Sequence, residues 1–296
     1  MEIVPQLFIN ALISGSIYAL VSVGLALSYT LLRVMNFAHG HTMMVGAYLF
    51  FLFHVQLGWG LLPASLATAI SSVVLGLLIL EVFVMPFAKL SFLLTFLTTL
   101  CLSNIMEATI SMIFGVNVKS LTPGAAAQSI EFWGIYITPI QIVIIVTAIL
   151  LLSAIAFLIH SSSIGAKFRA LSEQPYAAES LGVSKKRAAR LIFVISTLLA
   201  VYAGILVGYE TNMQPTMGTA YTIKAFAAMI LGGLGNIWGT VLGAYLLGFV
   251  ENFAIGLDFG GYSIPAGYKD AFAFVIILLV LLVRPQGLFG TKSRRA

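Results

Sequence analysis

Few residues in this chain combine the side-chain type and spacing that chemistry demands. Glu107 and Glu251 fall deep inside apolar runs, and Glu81 lies nearer the end of one. A carboxylate at such depth is expensive and serves either function or bonding between helices. Bonding between helices is the plainer account of each. His39 and His41 stand close together in Asn36-Phe37-Ala38-His39-Gly40-His41. No carboxylate or cysteine accompanies them at ligand spacing, so capping and packing are expected and no metal. There is no G-x-S-x-G, no phosphate-cradling loop followed by lysine and no H-E-x-x-H. Gly232-Gly233-Leu234-Gly235 lacks the strand–turn–helix context of a nucleotide fold. The expectation is a protein that is not an enzyme.

The elements that must position these residues are set by composition. Hydrophobic residues make up 60% of the 296 and charged residues 8%, with a mean hydropathy of +1.06. A soluble domain carries about 25% charged residues to cover its surface. This surface must instead face lipid. The fold expected is all-α: a polytopic helical bundle of about eight hydrophobic segments, forming a single membrane domain over 1–296. The single cysteine, Cys101, cannot pair within the chain. Met1 and Glu2 supply no basic lead, so Leu7–Leu32 reads as a retained span and not a signal peptide.

Seven segments are long enough, or nearly so, to cross a hydrocarbon core, which takes about 20 apolar residues as a helix. They lie near 6–32, 38–55, 61–85, 92–115, 139–160, 191–211 and 270–283. The eighth, 223–256, would be roughly 50 Å long as one straight helix. Its centre, Gly232 to Gly239, is poor helix, so two shorter helices with a break are expected. Basic residues set orientation. Twelve of the fifteen Lys and Arg residues fall in 161–190, in 284–296, or at Arg33 and Lys89. All of these are expected on the cytoplasmic side, with the N-terminus outside and the C-terminus cytoplasmic. Parity then requires 223–256 to cross twice or not at all, as a pair of short crossings or a re-entrant hairpin.

Irregular backbone at membrane depth is tolerated only where protein buries it or water lines it. Two breaks are therefore candidate pathway elements: Asn36, His39 and Gly40 in one, and Gly232, Gly233, Gly235 and Asn236 in the other. They are expected to face each other, or a partner's equivalents, near a central route. Close helix packing accounts equally well for the glycines. Asn36 and Asn236 are candidate helix caps. Val45-Gly46-Ala47-Tyr48-Leu49 is echoed by Leu242-Gly243-Ala244-Tyr245-Leu246, a weak sign of an internal repeat. In the loop 161–190, Pro175 suits a first helical position and Gly182 a stop. The expectation is one short helix, Pro175–Leu181, suited to docking a cytoplasmic partner.

Taken together these stretches resemble the branched-chain amino-acid ABC importer permeases, specifically the first of the two permease types of the high-affinity system. The wider group includes simple-sugar permeases. The likeness covers nearly the whole chain. It rests on Gly15-Ser16-Ile17-Tyr18-Ala19-Leu20, Asn36-Phe37-Ala38-His39-Gly40, and Gly165 through Arg169-Ala170 to Ala177-Ala178 and Gly182-Val183. It continues with Lys224-Ala225-Phe226, Ile230 to Gly235, Glu251, and Arg284-Pro285-Gln286-Gly287-Leu288-Phe289-Gly290. The resemblance implies a bacterial inner-membrane pore shared with a second permease subunit as a heterodimer. It further implies two cytoplasmic ABC ATPase subunits and a periplasmic or lipid-anchored solute-binding protein. ATP would be bound by those partner subunits, and no cofactor by this chain. Arg169, Pro175, Ala178, Leu181 and Gly182 would form the element that couples to an ATPase. Two positions depart from the pattern: His41 stands where such permeases often carry glutamate, and Met85–Ser91 lacks their paired arginines. Urea and short-chain amide permeases share the frame and remain the alternative. An ion-coupled secondary transporter is the alternative of another class.

Overall fold

The computed structural model describes residues 3–121, 129–132, 134–256 and 268–290, so Lys292, Arg294 and Arg295 of the basic tail lie outside the described residues. It is helical almost throughout. Helix α1 runs Ile3–Leu32, and α2 runs His39–Phe51 with a π-helical turn Leu52–Gln56. Helix α3, Leu61–Leu78, continues through a π-helical stretch Ile79–Val84 into α4, Met85–Ala88. Then come α5 (Phe92–Phe114), a short antiparallel hairpin of β1 (Ile130–Phe132) and β2 (Ile135–Ile137), and α6 (Pro139–Ser161). The remainder is α7 (Ser163–Glu173), α8 (Pro175–Ser180), α9 (Lys185–Glu210), α10 (Met217–Gly232), α11 (Ile237–Gly256) and α12 (Lys269–Val283). Among the described residues six helices are long and apolar enough to cross a membrane, and α10 is a shorter apolar helix.

Serines start three helices. Ser91, Ser162 and Ser184 each accept the N–H three residues on, closing α5, α7 and α9 at their N-termini. Helix α3 shows how the sequence sorts its faces. Ala64, Thr68, Ser72 and Gly76 are buried at a spacing of four, while Leu62, Leu66, Ile70, Val74 and Leu78 stand exposed at the same spacing. In lipid, association comes from close packing of small residues, so the small stripe is the one turned inward. Gly76 accordingly lies where a Cβ would strike the Thr197 side chain of α9.

The chain divides into two compact units, with boundaries inside α1, α6 and α10. One holds the described residues of Met1–Ala26, Gly124–Ile149 and Ile223–Ala296. In it α1 and α11 pack antiparallel: Leu7 meets Gly256, Phe8 stacks edge-on with Phe249, and Gly15 meets Tyr245 and Gly248. Gln6 pairs with both backbone groups of Tyr136, tying the start of α1 to the hairpin. Helices α10 and α11 close on each other through Gly232–Gly239 and Gly243–Ala228. The other unit, Leu27–Pro123 and Leu150–Thr222, packs α2 along α9 and α3. Its core joins Val34, Ala38, Ile79, Leu80, Val84, Leu102, Met106 and Phe193.

The structure shifts several sequence boundaries. Helix α9 begins at Lys185 and not near 191, since Ser184 caps it among the basic residues. The loop 161–190 holds two helices instead of one, because Ser162 starts α7 ahead of α8. The long stretch breaks at the expected glycines, but its first helix starts at Met217, six residues before 223.

Candidate functional site

The Asn36–Gly40 break is built in the second unit. Helix α1 ends at Leu32, and Arg33 takes a left-handed conformation, φ 55°, the one positive φ outside glycine among the described residues. The chain then runs without helical structure through Asn36 and turns at Phe37–Ala38, the latter preceding α2. Gly204 of α9 lies against the Met43 carbonyl and Gly46 lies against Val201, so the first turns of α2 stand beside the middle of α9. At that depth no water is at hand for free backbone groups. They are met by side chains from α5, from α10 and from the break itself. Thr99 of α5 accepts from the Phe37 N–H (3.2 Å), Asn36 Oδ1 from the Ala38 N–H (3.1 Å), and Thr222 Oγ1 from the Gly40 N–H (3.1 Å). Asn36 and His39 are both buried, at 3% and 2% exposure.

What meets this break is the start of α10. A Cβ on Gly40 would lie in the Gly218 carbonyl and the Thr222 hydroxyl, and one on Gly218 would lie in the His41 ring. Residues 211–216 lead into α10 without helical structure, Met213 exchanging both backbone bonds with Lys119 (2.7 and 2.9 Å). The pattern of long helix, irregular stretch and short helix therefore occurs twice, as α1–α2 and as α9–α10. Sequence reading missed the second. Its signal was Gln214-Pro215, since proline cannot continue a helix. Above the break, His41 Nε2 contacts Glu107 Oε2 (3.2 Å) and Thr219 Oγ1 (3.4 Å).

The Gly232–Asn236 break is built differently, within the first unit. Gly233 and Gly235 take φ +106° and +88°, conformations that favour glycine. Asn236 caps α11 through the Gly239 N–H (3.0 Å), as expected. The rest of the turn is closed by the chain after α12. Leu288 and Phe289 donate backbone N–H groups to the Leu231 and Gly232 carbonyls, and Asn236 Nδ2 donates to the Phe289 carbonyl. The turn thus stands beside the chain that follows α12.

Toward the other end of α11, Glu251 is fully buried: its Oε2 accepts from Tyr18 (2.7 Å) and Lys224 (3.2 Å), and its Oε1 lies 3.1 Å from the same ammonium. Lys224 also pairs with Asp270 (2.9 Å), and Lys269 reaches Glu251 at 3.7 Å. The network joins α1, α10, α11 and α12, and a buried carboxylate is retained when it is paired in this way.

The residues for which the resemblance implies ATPase coupling lie on α7, on α8 and just past its end. Arg169 donates to the Ile159 carbonyl at the end of α6. Pro175 opens α8, Ala178 is buried beneath it, and Leu181 caps it. Gly182, φ +84°, closes it with Val183 N–H bonded to the Ala178 carbonyl (3.1 Å), the six-to-one closure of a Schellman motif. Tyr176 and Leu181 are 87% and 85% exposed. Beside α8 opens a cleft of about 550 Å³ lined by Glu81, Lys89, Glu179, Lys185 and Lys186. Glu81, set apart in the sequence from the basic loop, pairs with Arg190 (2.5 Å) and Lys186 (3.6 Å).

Residues 7–281 match the family model described as branched-chain amino acid transport system / permease component. The chain belongs to this family. It is 31% identical over 299 residues to the high-affinity branched-chain amino acid transport system permease protein BraD of Pseudomonas aeruginosa, covering 96% of this chain and 95% of that one. Identity to the corresponding LivH protein of Escherichia coli K12 is also 31%, over 298 residues, with the same coverage. The solved structure of PsaBC from Streptococcus pneumoniae in complex with Fab matches with TM-score 0.53 at 10% identity, covering 97% of this chain and 93% of that one. That last likeness concerns the fold alone. The permease is a multi-pass membrane protein.

Proposed function

We propose that this permease forms the translocation path for branched-chain or related amino acids in a bacterial ABC importer of the cytoplasmic membrane. The observation that carries the substrate is the likeness to two relatives named for branched-chain amino acids along nearly their whole length. A second permease subunit completes the pore as a heterodimer, two ATPase subunits bind beneath it, and a solute-binding protein delivers substrate from outside. The basic bias supports a cytoplasmic position for 161–190 and the C-terminus. Arg169, Pro175, Ala178, Leu181 and Gly182 form the ATPase contact. Two large side chains left bare, Tyr176 on α8 and Leu181 just past its end, support that role, since such patches mark interaction sites. Asn36, His39 and Gly40 contribute helix ends and small residues to the path. Gly232, Gly233, Gly235 and Asn236 contribute at the mouth beside the end of α12.

The test is uptake into proteoliposomes holding the permease with its genomic-neighbour permease and ATPases, supplied with the neighbouring binding protein. Leucine, isoleucine or valine should accumulate with internal ATP and continue in the presence of a protonophore. Accumulation of urea or acetamide instead would assign the amide reading. Uptake that needs an ion gradient and ignores ATP would assign a secondary transporter.

A further inference from the structure

The exposed apolar stripe of α3 does not stop where that helix ends. After Leu62, Leu66, Ile70, Val74 and Leu78, the same spacing of four reaches Val82 and then Pro86, both exposed. Pro86 lines the cleft of about 550 Å³ beside α8, as do Leu32, Met85, Ala88 and the buried Ala189. Just past it, Leu90, Phe92 and Leu93 are exposed as well. A surface suited to acyl chains therefore runs into the wall of a polar cleft at the end of the spanning stretch Leu61–Ala88. All of the lining belongs to the second unit.

The charges of the cleft are unevenly satisfied. Glu81 is held by Arg190 and Lys186. Lys89 and Lys185 line the same cleft and enter no ion pair among the described residues. The other lining carboxylate is Glu179 of α8. Lys89, Lys185, Lys186 and Arg190 thus stand against Glu81 and Glu179, two positive charges in excess. A second cleft of about 340 Å³ holds Lys167 and Arg187 but takes no residue from α3 or α4, so the stripe does not reach it.

We propose that the larger cleft binds the phosphodiester of an anionic phospholipid. Lys89 and Lys185 take the phosphate, and an acyl chain lies along the stripe of α3. Basic pockets at the ends of spanning helices suit such headgroups. A zwitterionic lipid brings a further cation into a cleft that is already positive. A free phosphate leaves the apolar wall bare, and an acidic protein segment makes no use of the stripe. The headgroup ties the end of α4 to Lys185, the first residue of α9, beside the proposed coupling helix. The site does not depend on which solute is carried.

The test reads the cleft from within. Ala88→Cys in a Cys101→Ser background is assembled with its partner subunits in nanodiscs, and labelling of this chain by neutral N-ethylmaleimide is followed. The cysteine should label in phosphatidylcholine discs, and phosphatidylglycerol discs should slow it at least threefold. Adding Lys89→Gln and Lys185→Gln should abolish the slowing. Lys167→Gln with Arg187→Gln removes the same charge from the smaller cleft and should preserve it. Inorganic phosphate added to phosphatidylcholine discs should change nothing. Equal slowing by phosphate would assign a soluble anion, and slowing lost in both double variants would mark surface charge alone. No labelling in phosphatidylcholine discs would put a partner protein on the cleft. Each of these overturns the proposal. The unsubstituted importer, offered phosphatidylglycerol and phosphatidylcholine equally, should retain the first at least threefold more by native mass spectrometry; equal retention overturns it too.

Discussion

The breaks at Asn36–Gly40 and Gly232–Asn236 look alike in sequence, each an asparagine with glycine between apolar runs. In the first, the N–H groups of Phe37, Ala38 and Gly40 find side-chain oxygens of Thr99, Asn36 and Thr222. In the second, two glycines turn the chain at positive φ and backbone meets backbone from Leu288 and Phe289. The tyrosines of the two Gly-Ala-Tyr copies differ as well. Tyr245 bonds Ser16 (3.1 Å), while the Tyr48 hydroxyl is buried without a partner. A break set beside the middle of a spanning helix needs oxygens placed from other helices. A break at a helix end can be closed by the nearest chain, so it reads as a tight hairpin.

The largest effect that could break this contrast comes from filling each gap. Gly40→Leu drives side-chain atoms into the Gly218 carbonyl, and uptake should fall at least about tenfold with insertion retained, given overpacking costs of about 1–3 kcal/mol. Gly233→Leu meets Gly290 and adds strain at φ +106°. It should block uptake too, with a lower thermal unfolding midpoint in detergent. Normal uptake by Gly40→Leu would remove the distinction.

Next comes a change outside both breaks. Gly182→Val puts a β-branched residue at φ +84° on the proposed coupling element, at a strain of about 1–3 kcal/mol. ATP hydrolysis by the assembled importer should persist while uptake per ATP drops several-fold. Tight coupling in this variant would count against α8 as the ATPase contact.

A smaller effect sharpens the comparison. Thr222→Val keeps the shape and strands the buried Gly40 N–H, at about 1–3 kcal/mol. Asn236→Ala removes a cap worth about 1 kcal/mol. Thermal midpoints should fall more for Thr222→Val, and uptake should fall only for that variant. The reverse order would show that the hairpin turn is the more demanding break.

The smallest effect is on activity and the most direct on orientation. Cysteines at Ser172 and Lys292, in a Cys101→Ser background, should transport normally and resist impermeant maleimide in intact cells. Labelling from outside would overturn the proposed topology, in which 161–190 and the C-terminus face the cytoplasm.

Much of the fold was legible. Apolar length located the spans, because a bilayer admits few alternatives to helix. Pro175 and Gly182 fixed α8 to within a residue, since each restricts backbone angles locally. The break in 223–256 followed from length alone. Less was legible at the site. Nothing in Thr99, Glu107, Thr219 or Thr222 distinguishes them from other polar residues scattered through apolar helices. The motif Arg284–Gly290 gave a resemblance without a role until it was seen closing the hairpin turn.

Sequence by itself therefore determined what depends on neighbours along the chain: helix against break, lipid-facing composition, basic bias and family. The tertiary structure decided which break meets which. Asn36–Gly40 is joined by Gly218 and Thr222, nearly two hundred residues away, and Glu251 by Tyr18, Lys224 and Lys269. The reason is physical. In a medium without water, every buried polar group must be matched by another protein group, and only helix packing decides which one arrives within 3 Å.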